Sequence, residues 1–312
     1  MVHSPIRCID ARQSGNRASR TYTSGNNVAM LLHYWAVPRS GRMMATREGI
    51  AMDQSAQADA GVSAPINFAA DRSDGGIWSN LDRSLITQKL EAHDVEFRNA
   101  RRLASPPSLE REGFELHHLP VGEFAWADPE WIASVYIPPH IELLRELTGA
   151  PHIAAFHGGA VLIRDSGDPA KPAAAEFVHF DQTRQSAVPF VEAAADADIR
   201  ARYPRAKILN VWRVLTPPPQ DMPLALCDQR TVDEGDGVVG RTVEPNFPGG
   251  VPYLTSVHNP RQQWYYFPDV TPDDVIFFKN YDSDPDAPLG CLQKSTRLNS
   301  SHYSRSRMPS SA

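Results

Sequence analysis

His179 and Asp181 stand two residues apart in EFVHFDQT, a run with the β-branched and aromatic content of a strand. Side chains alternate along a strand, so these two project to one side, while Val178 and Phe180 project to the other. An imidazole beside a carboxylate can supply two of the three ligands of a 2-His-1-carboxylate facial triad, leaving coordination positions for O2 and an oxidisable cosubstrate. The same pair can also be an ordinary hydrogen-bonded couple, and the spacing leaves both readings open. Arg213, in NVWR, carries a planar fork suited to a carboxylate of cosubstrate or substrate, or to a structural ion pair. Arg230 with Asp228 is expected to brace a strand end. His157 and His258 read as a core or rim histidine and a loop histidine, and Trp212 and Trp264-Tyr265-Tyr266 as core. Cys227, inside an apolar run, is expected to be unreactive, because a thiolate needs an electropositive neighbourhood.

The elements that must position these groups are mostly strands. Short runs at 152–164, 176–182, 206–215, 223–232, 262–267 and 275–282 are bounded by Pro, Gly, Asp or Asn. Helical patterns do not separate them, which disfavours a doubly wound parallel sheet and favours an antiparallel sandwich, jelly roll or barrel. Ahead of them, Asp128-Pro129-Glu130 has the signature of a helix start, opening a short helix through Tyr136. A second helix is expected from Pro139, with Ile141, Leu144 and Leu147 on one face and Gly149 as its left-handed stop. The polar segment 38–80 reads as loop. There is no Gly-rich phosphate loop and no G-x-S-x-G elbow.

The chain has 312 residues, with 31 Lys and Arg against 37 Asp and Glu, a balance that argues against general nucleic-acid binding. No run reaches the roughly 18 apolar residues a membrane-spanning helix requires. Three cysteines give no disulfide framework, so a reducing, cytoplasmic location is expected. Residues 1–28 are Arg- and Ser-rich and expected to be disordered, and residues 29–293 are expected to form a single domain. The segment 294–312 is Ser- and Arg-rich without an acid; it resembles a translated sequencing adapter and is expected to be a disordered, artefactual tail. On that expectation the domain is truncated, with its last strands missing.

The segments SLEREGFELHHLP, IELLRELTGAPHIAAFHGG, FVHFDQT, ILNVWRVLTPPPQDMPLALCDQRTV and QWYYFPDVTPDDVIFFKNYDSD, in this order between about Met30 and Asp286, resemble the fungal hydroxylase/desaturase family. That family is similar to gibberellin desaturases and the cephem methoxylase component. The resemblance implies a double-stranded β-helix (jelly-roll) core with an N-terminal helical flank. It also implies non-haem Fe(II), 2-oxoglutarate and O2 as cofactors, and hydroxylation or desaturation of a small secondary metabolite. By position, His179 and Asp181 match the first two iron ligands. The family's distal histidine has no counterpart after YDSDPDAP, and His302 lies in a stretch that cannot form a core. The competing expectation is therefore a catalytically inactive jelly roll that binds a ligand but lacks the third metal ligand.

Overall fold

A computed structural model describes residues 26–36, 61–155, 161–165, 177–220, 222–245 and 247–295, with 26–36, 161–165, 247–248 and 295 described as backbone. Numbered along the chain, one sheet holds β1 (Asn26–Ala36), β5 (Phe114–His118), β6 (His152–Ala155), β7 (Val161–Asp165), β9 (Arg205–Val214) and β14 (Asp274–Asp282). Its order is β5-β14-β9-β1-β6, with β7 also paired to β1. The other holds β2 (Val62–Ala69), β3 (Ile77–Trp78), β4 (Leu90–Asn99), β8 (His179–Phe180), β10 (Leu224–Cys227), β11 (Gly237–Glu244), β12 (Phe247–Ser256), β13 (Trp264–Tyr266) and β15 (Gln293–Ser295). Its order is β2-β4-β13-β10-β15-β8-β12-β11-β3. The result is mainly β with few helices, a jelly roll as the sequence led one to expect.

Strand β9 is buried along nearly its whole length and shows how the layers form. Its even-numbered Trp212 and Val214, with Ile276 and Phe278 of β14, pack against Leu224, Leu226 and Tyr265 of the nine-stranded sheet. Its odd-numbered Leu209 and Val211, with Val275 and Phe277, pack instead under Tyr136, Ile137 and Leu144 of the helical flank. That flank begins with α1 (Pro129–Trp131), capped by Asp128, passes through a π-helical turn (Ile132–Tyr136) and continues as α2 (Ile137–Thr148). The two expected helices are thus one continuous rod. Gly149 ends it with φ at +64°, a conformation glycine adopts without the Cβ penalty.

Arg213 emerges on the helical side of β9 and is fully buried. Its guanidinium donates to the Pro272 carbonyl at 2.6 Å and the Leu119 carbonyl at 2.9 Å, and lies 3.2 Å from His140 Nε2. His140 Nδ1 sits 2.6 Å from the Tyr136 carbonyl, so Nδ1 carries the proton and Nε2 accepts from the arginine. Burial, with the adjacent Arg213 charge, pushes the imidazole pKa down to about 3. The folded state therefore holds His140 neutral where the unfolded chain protonates it, below about 6.5. Stability is lost as pH falls from that value toward 3, at up to about 1.4 kcal/mol per unit. Urea denaturation at pH 7 and pH 5 is expected to show His140→Gln losing about 1–2 kcal/mol less than wild type over that interval. Equal losses in the two proteins would remove His140 as the cause.

Four expectations need correction. The segment 38–80 is not all loop: β2 and β3 lie in it, with Ala64, Ile66 and Phe68 buried at alternate positions. The strands are not free of intervening helices, since α3 (Arg184–Ala194) and α4 (Ala197–Arg202) follow β8, the first capped by a reciprocal Thr183–Ser186 box. The N-terminal boundary at 28 moves outward, because Asn27 and Val28 already pair with Val214 and Arg213. The boundary at 293 also moves, because Lys294 and Ser295 pair with Ala225 and Leu224.

Candidate metal centre

Strand β8 is only two residues long, but it is held on both sides. His179 pairs with Thr255 of β12 and with Gln293 of β15. Val178 and Phe180 are buried in an apolar cluster, which anchors the alternation read from the sequence. His179 and Asp181 share the opposite side, with His179 Nε2 3.5 Å from Asp181 Oδ1. The His179 side chain is 15% exposed and that of Asp181 37%, so the pair is reachable from solvent.

The surroundings fix both groups. His179 Nδ1 lies 2.9 Å from the Phe177 carbonyl; donation there leaves the Nε2 lone pair facing Asp181. Metal-binding histidines are commonly oriented this way, by a carbonyl on the second ring nitrogen. Asp181 Oδ2 accepts from Asn210 Nδ2 at 2.6 Å and from Asn280 Nδ2 at 3.0 Å, while Oδ1 accepts from Gln293 Nε2 at 3.1 Å. Asn210 and Asn280 come from the six-stranded sheet and Gln293 from the nine-stranded one, so the carboxylate sits between the two layers. Three neutral amides hold it without supplying a countercharge.

Asn280 reaches the carboxylate because of an irregularity. Lys279 pairs with Leu209 and Tyr281 with Ile208, so Asn280 is an extra residue in the ladder. Such a bulge re-aims a side chain. The Asn280 amide also donates to Gln182 Oε1 at 2.6 Å, and its oxygen accepts the Asp181 N–H at 3.1 Å. Beside the pair, the Phe177 ring lies 5.2 Å from His179, with Trp78 and Tyr253 packed against it. This gives the site an aromatic wall.

His179 Nε2 and Asp181 Oδ1 fit one cation between them, as a nitrogen and an anionic oxygen suited to Fe(II). No cluster of three or more His, Cys, Asp or Glu side chains able to hold a metal occurs among the described residues. Arg213, read as suited to a cosubstrate carboxylate or to a structural ion pair, is not brought to the pair: it leaves β9 on the side opposite Asn210, and its two terminal nitrogens are committed to main-chain carbonyls and His140. His258 stacks on His93 with centroids 4.2 Å apart. Arg230 forks onto Asp228, with contacts of 3.0 and 2.6 Å. Burial pushes the Cys227 thiol up to about 12, in keeping with an unreactive residue. His157 and His302 lie outside the described residues. Sequence reasoning missed Asn210, Asn280 and Gln293; the available signal was an asparagine within each of two strand-like runs, where that residue is disfavoured.

Residues 56–301 match the family described as "Oxidoreductase/YMDC permease-like domain". Among the described residues, no helix is long and apolar enough to cross a membrane. The hydroxylase/desaturase efuI of Hormonema carpetanum is 28% identical over 252 residues, 71% of this chain and 83% of that protein. The Fe(II)/2-oxoglutarate-dependent dioxygenase nvfI of Aspergillus novofumigatus is 26% identical over 207 residues, 62% of this chain and 71% of that one. A solved structure of the iron and alpha-ketoglutarate-dependent endoperoxidase NvfI superposes with a TM-score of 0.67 at 20% identity, covering 82% of this chain and 94% of that one. At that identity the structural likeness is one of fold.

Proposed function

The chain belongs to the oxidoreductase/YMDC permease-like domain family, and from that membership and its hydroxylase/desaturase and dioxygenase relatives we propose that it is an Fe(II)/2-oxoglutarate-dependent oxygenase hydroxylating or desaturating a small organic molecule. The observation that carries the reading is the placement of His179 Nε2 and Asp181 Oδ1 3.5 Å apart on one side of β8. When bound, iron and 2-oxoglutarate supply the oxidation, consuming O2, releasing succinate and CO2, and acting on an unactivated C–H bond. The chain's own residues do the rest. His179 and Asp181 hold the metal, the Phe177 carbonyl fixes the imidazole tautomer, and Asn210 and Asn280 occupy the carboxylate's other oxygen. Phe177, Trp78 and Tyr253 shield one side of the site from water, which supports an apolar substrate surface. The reduced, buried thiols Cys227 and Cys291 support a cytoplasmic setting.

The compared relatives are named for enzymatic oxidation, which favours turnover over the inactive ligand-binding alternative. Anaerobic loading with Fe(II) and 2-oxoglutarate, followed by exposure to O2, tests this directly. Succinate is expected to form only when all three are present. Iron binding without any consumption of 2-oxoglutarate would overturn the proposal.

A further inference from the structure

Building on the iron reading above, we infer that Gln293 stands in the third protein position of the metal site and serves there as a neutral amide ligand. Strand β15 is hydrogen-bonded to β8, and Gln293 pairs directly with His179. Directly paired residues carry Cβ atoms about 4.5–5.5 Å apart, with side chains on the same face. Gln293 Nε2 is 3.1 Å from Asp181 Oδ1, and that same oxygen is 3.5 Å from His179 Nε2. Three side chains thus converge on one point from two strands and the segment after β8. Gln293 is only 8% exposed, so its amide cannot simply turn out to solvent.

A cation entering at this point displaces the bond from Gln293 to Asp181. A half-turn about the terminal amide torsion, which is broad and two-fold, then presents Oε1 with its two lone pairs. The resulting set is one imidazole, one carboxylate and one amide carbonyl. A carbonyl is a harder and, for Fe(II), weaker donor than a second imidazole, so the site should hold iron loosely and discriminate less against Mn(II).

The test is titration with Co(II), followed by its visible absorption, and with Mn(II), on wild type, Gln293→Ala, Gln293→His, Gln293→Glu and Asp181→Asn, each checked for folding by circular dichroism. Gln293→Ala is expected to weaken Co(II) binding by about threefold to tenfold. Gln293→His is expected to tighten it by about 10–100-fold, with a changed spectrum. Gln293→Glu, close to isosteric, is expected to tighten both metals, and covers the case in which an imidazole does not fit. If all Gln293 variants match wild type while Asp181→Asn loses the metal, Gln293 is not in the third position and the iron reading survives. If Asp181→Asn also binds like wild type, the metal lies elsewhere and both fall.

Discussion

Asp181→Asn is expected to lose Fe(II) by more than the roughly 10–100-fold that outer-shell substitutions cost, and to lose succinate formation with it. The substitution keeps the shape of the side chain. Its carbonyl can take the place of Oδ2, accepting from Asn210 and Asn280, so those two amides remain satisfied. Its NH2 then faces His179 Nε2, where it donates to the lone pair that would otherwise meet the cation. A charge of −1 is removed from the site, and the nitrogen and oxygen no longer share a vacant point. Stability should change by less than about 1 kcal/mol, because this side chain is partly exposed, Asn210 and Asn280 keep an acceptor, and a half-turn of the Gln293 amide turns its oxygen to the new NH2. Anaerobic Fe(II) titration and thermal denaturation of the same preparations separate the two effects. Wild-type iron affinity in Asp181→Asn would sink the ligand assignment.

Arg213→Leu is expected to leave metal binding intact and to destabilise the fold by about 3–5 kcal/mol, since each buried acceptor left unsatisfied costs about 1–3 kcal/mol. Three acceptors, the carbonyls of Pro272 and Leu119 and the Nε2 of His140, lose their donor inside the protein. The guanidinium also lies 5.9 Å from the Phe124 ring centroid and 5.7 Å from that of Tyr136, so contact with two aromatic rings is lost as well. For a domain of this size the melting temperature should fall by roughly 10 °C. Arg213→Lys should recover only part of this, since a single ammonium lacks the planar fork. A role in holding 2-oxoglutarate predicts the opposite pattern: weakened 2-oxoglutarate binding with an unchanged melting temperature.

The contrast between these two residues shows what the sequence could reveal. The placement of His179 beside Asp181 was legible because the run alternates cleanly, with Val178 and Phe180 buried on one side. Arg213 was not, because β9 is covered on both faces, so burial does not alternate along it and nothing local shows that Asn210 faces the other sheet while Arg213 lies under the helical flank. Asn280 and Gln293 act through the register of strands distant in sequence, so their meeting with Asp181 had no local signature. Strand β2 is a different kind of omission. Ala64, Ile66 and Phe68 alternate as a half-buried strand should, but the polar, Gly/Ala-rich segment around them argued for loop; the structure places β2 at the sheet edge, where its Pro65 is tolerated.

The extra residue at Asn280 makes the chain sensitive to length at one point. Deleting Asn280 would let β14 run in unbroken phase with β9, with Tyr281 and Asp282 still opposite Ile208 and Lys207. The side chains beyond would keep their faces, but the carboxylate of Asp181 would lose the amide that reaches it from β14. A shortened protein of this kind would fold and yet be disarmed. At this place in the polypeptide, what must be inherited intact is a residue count as much as a residue type.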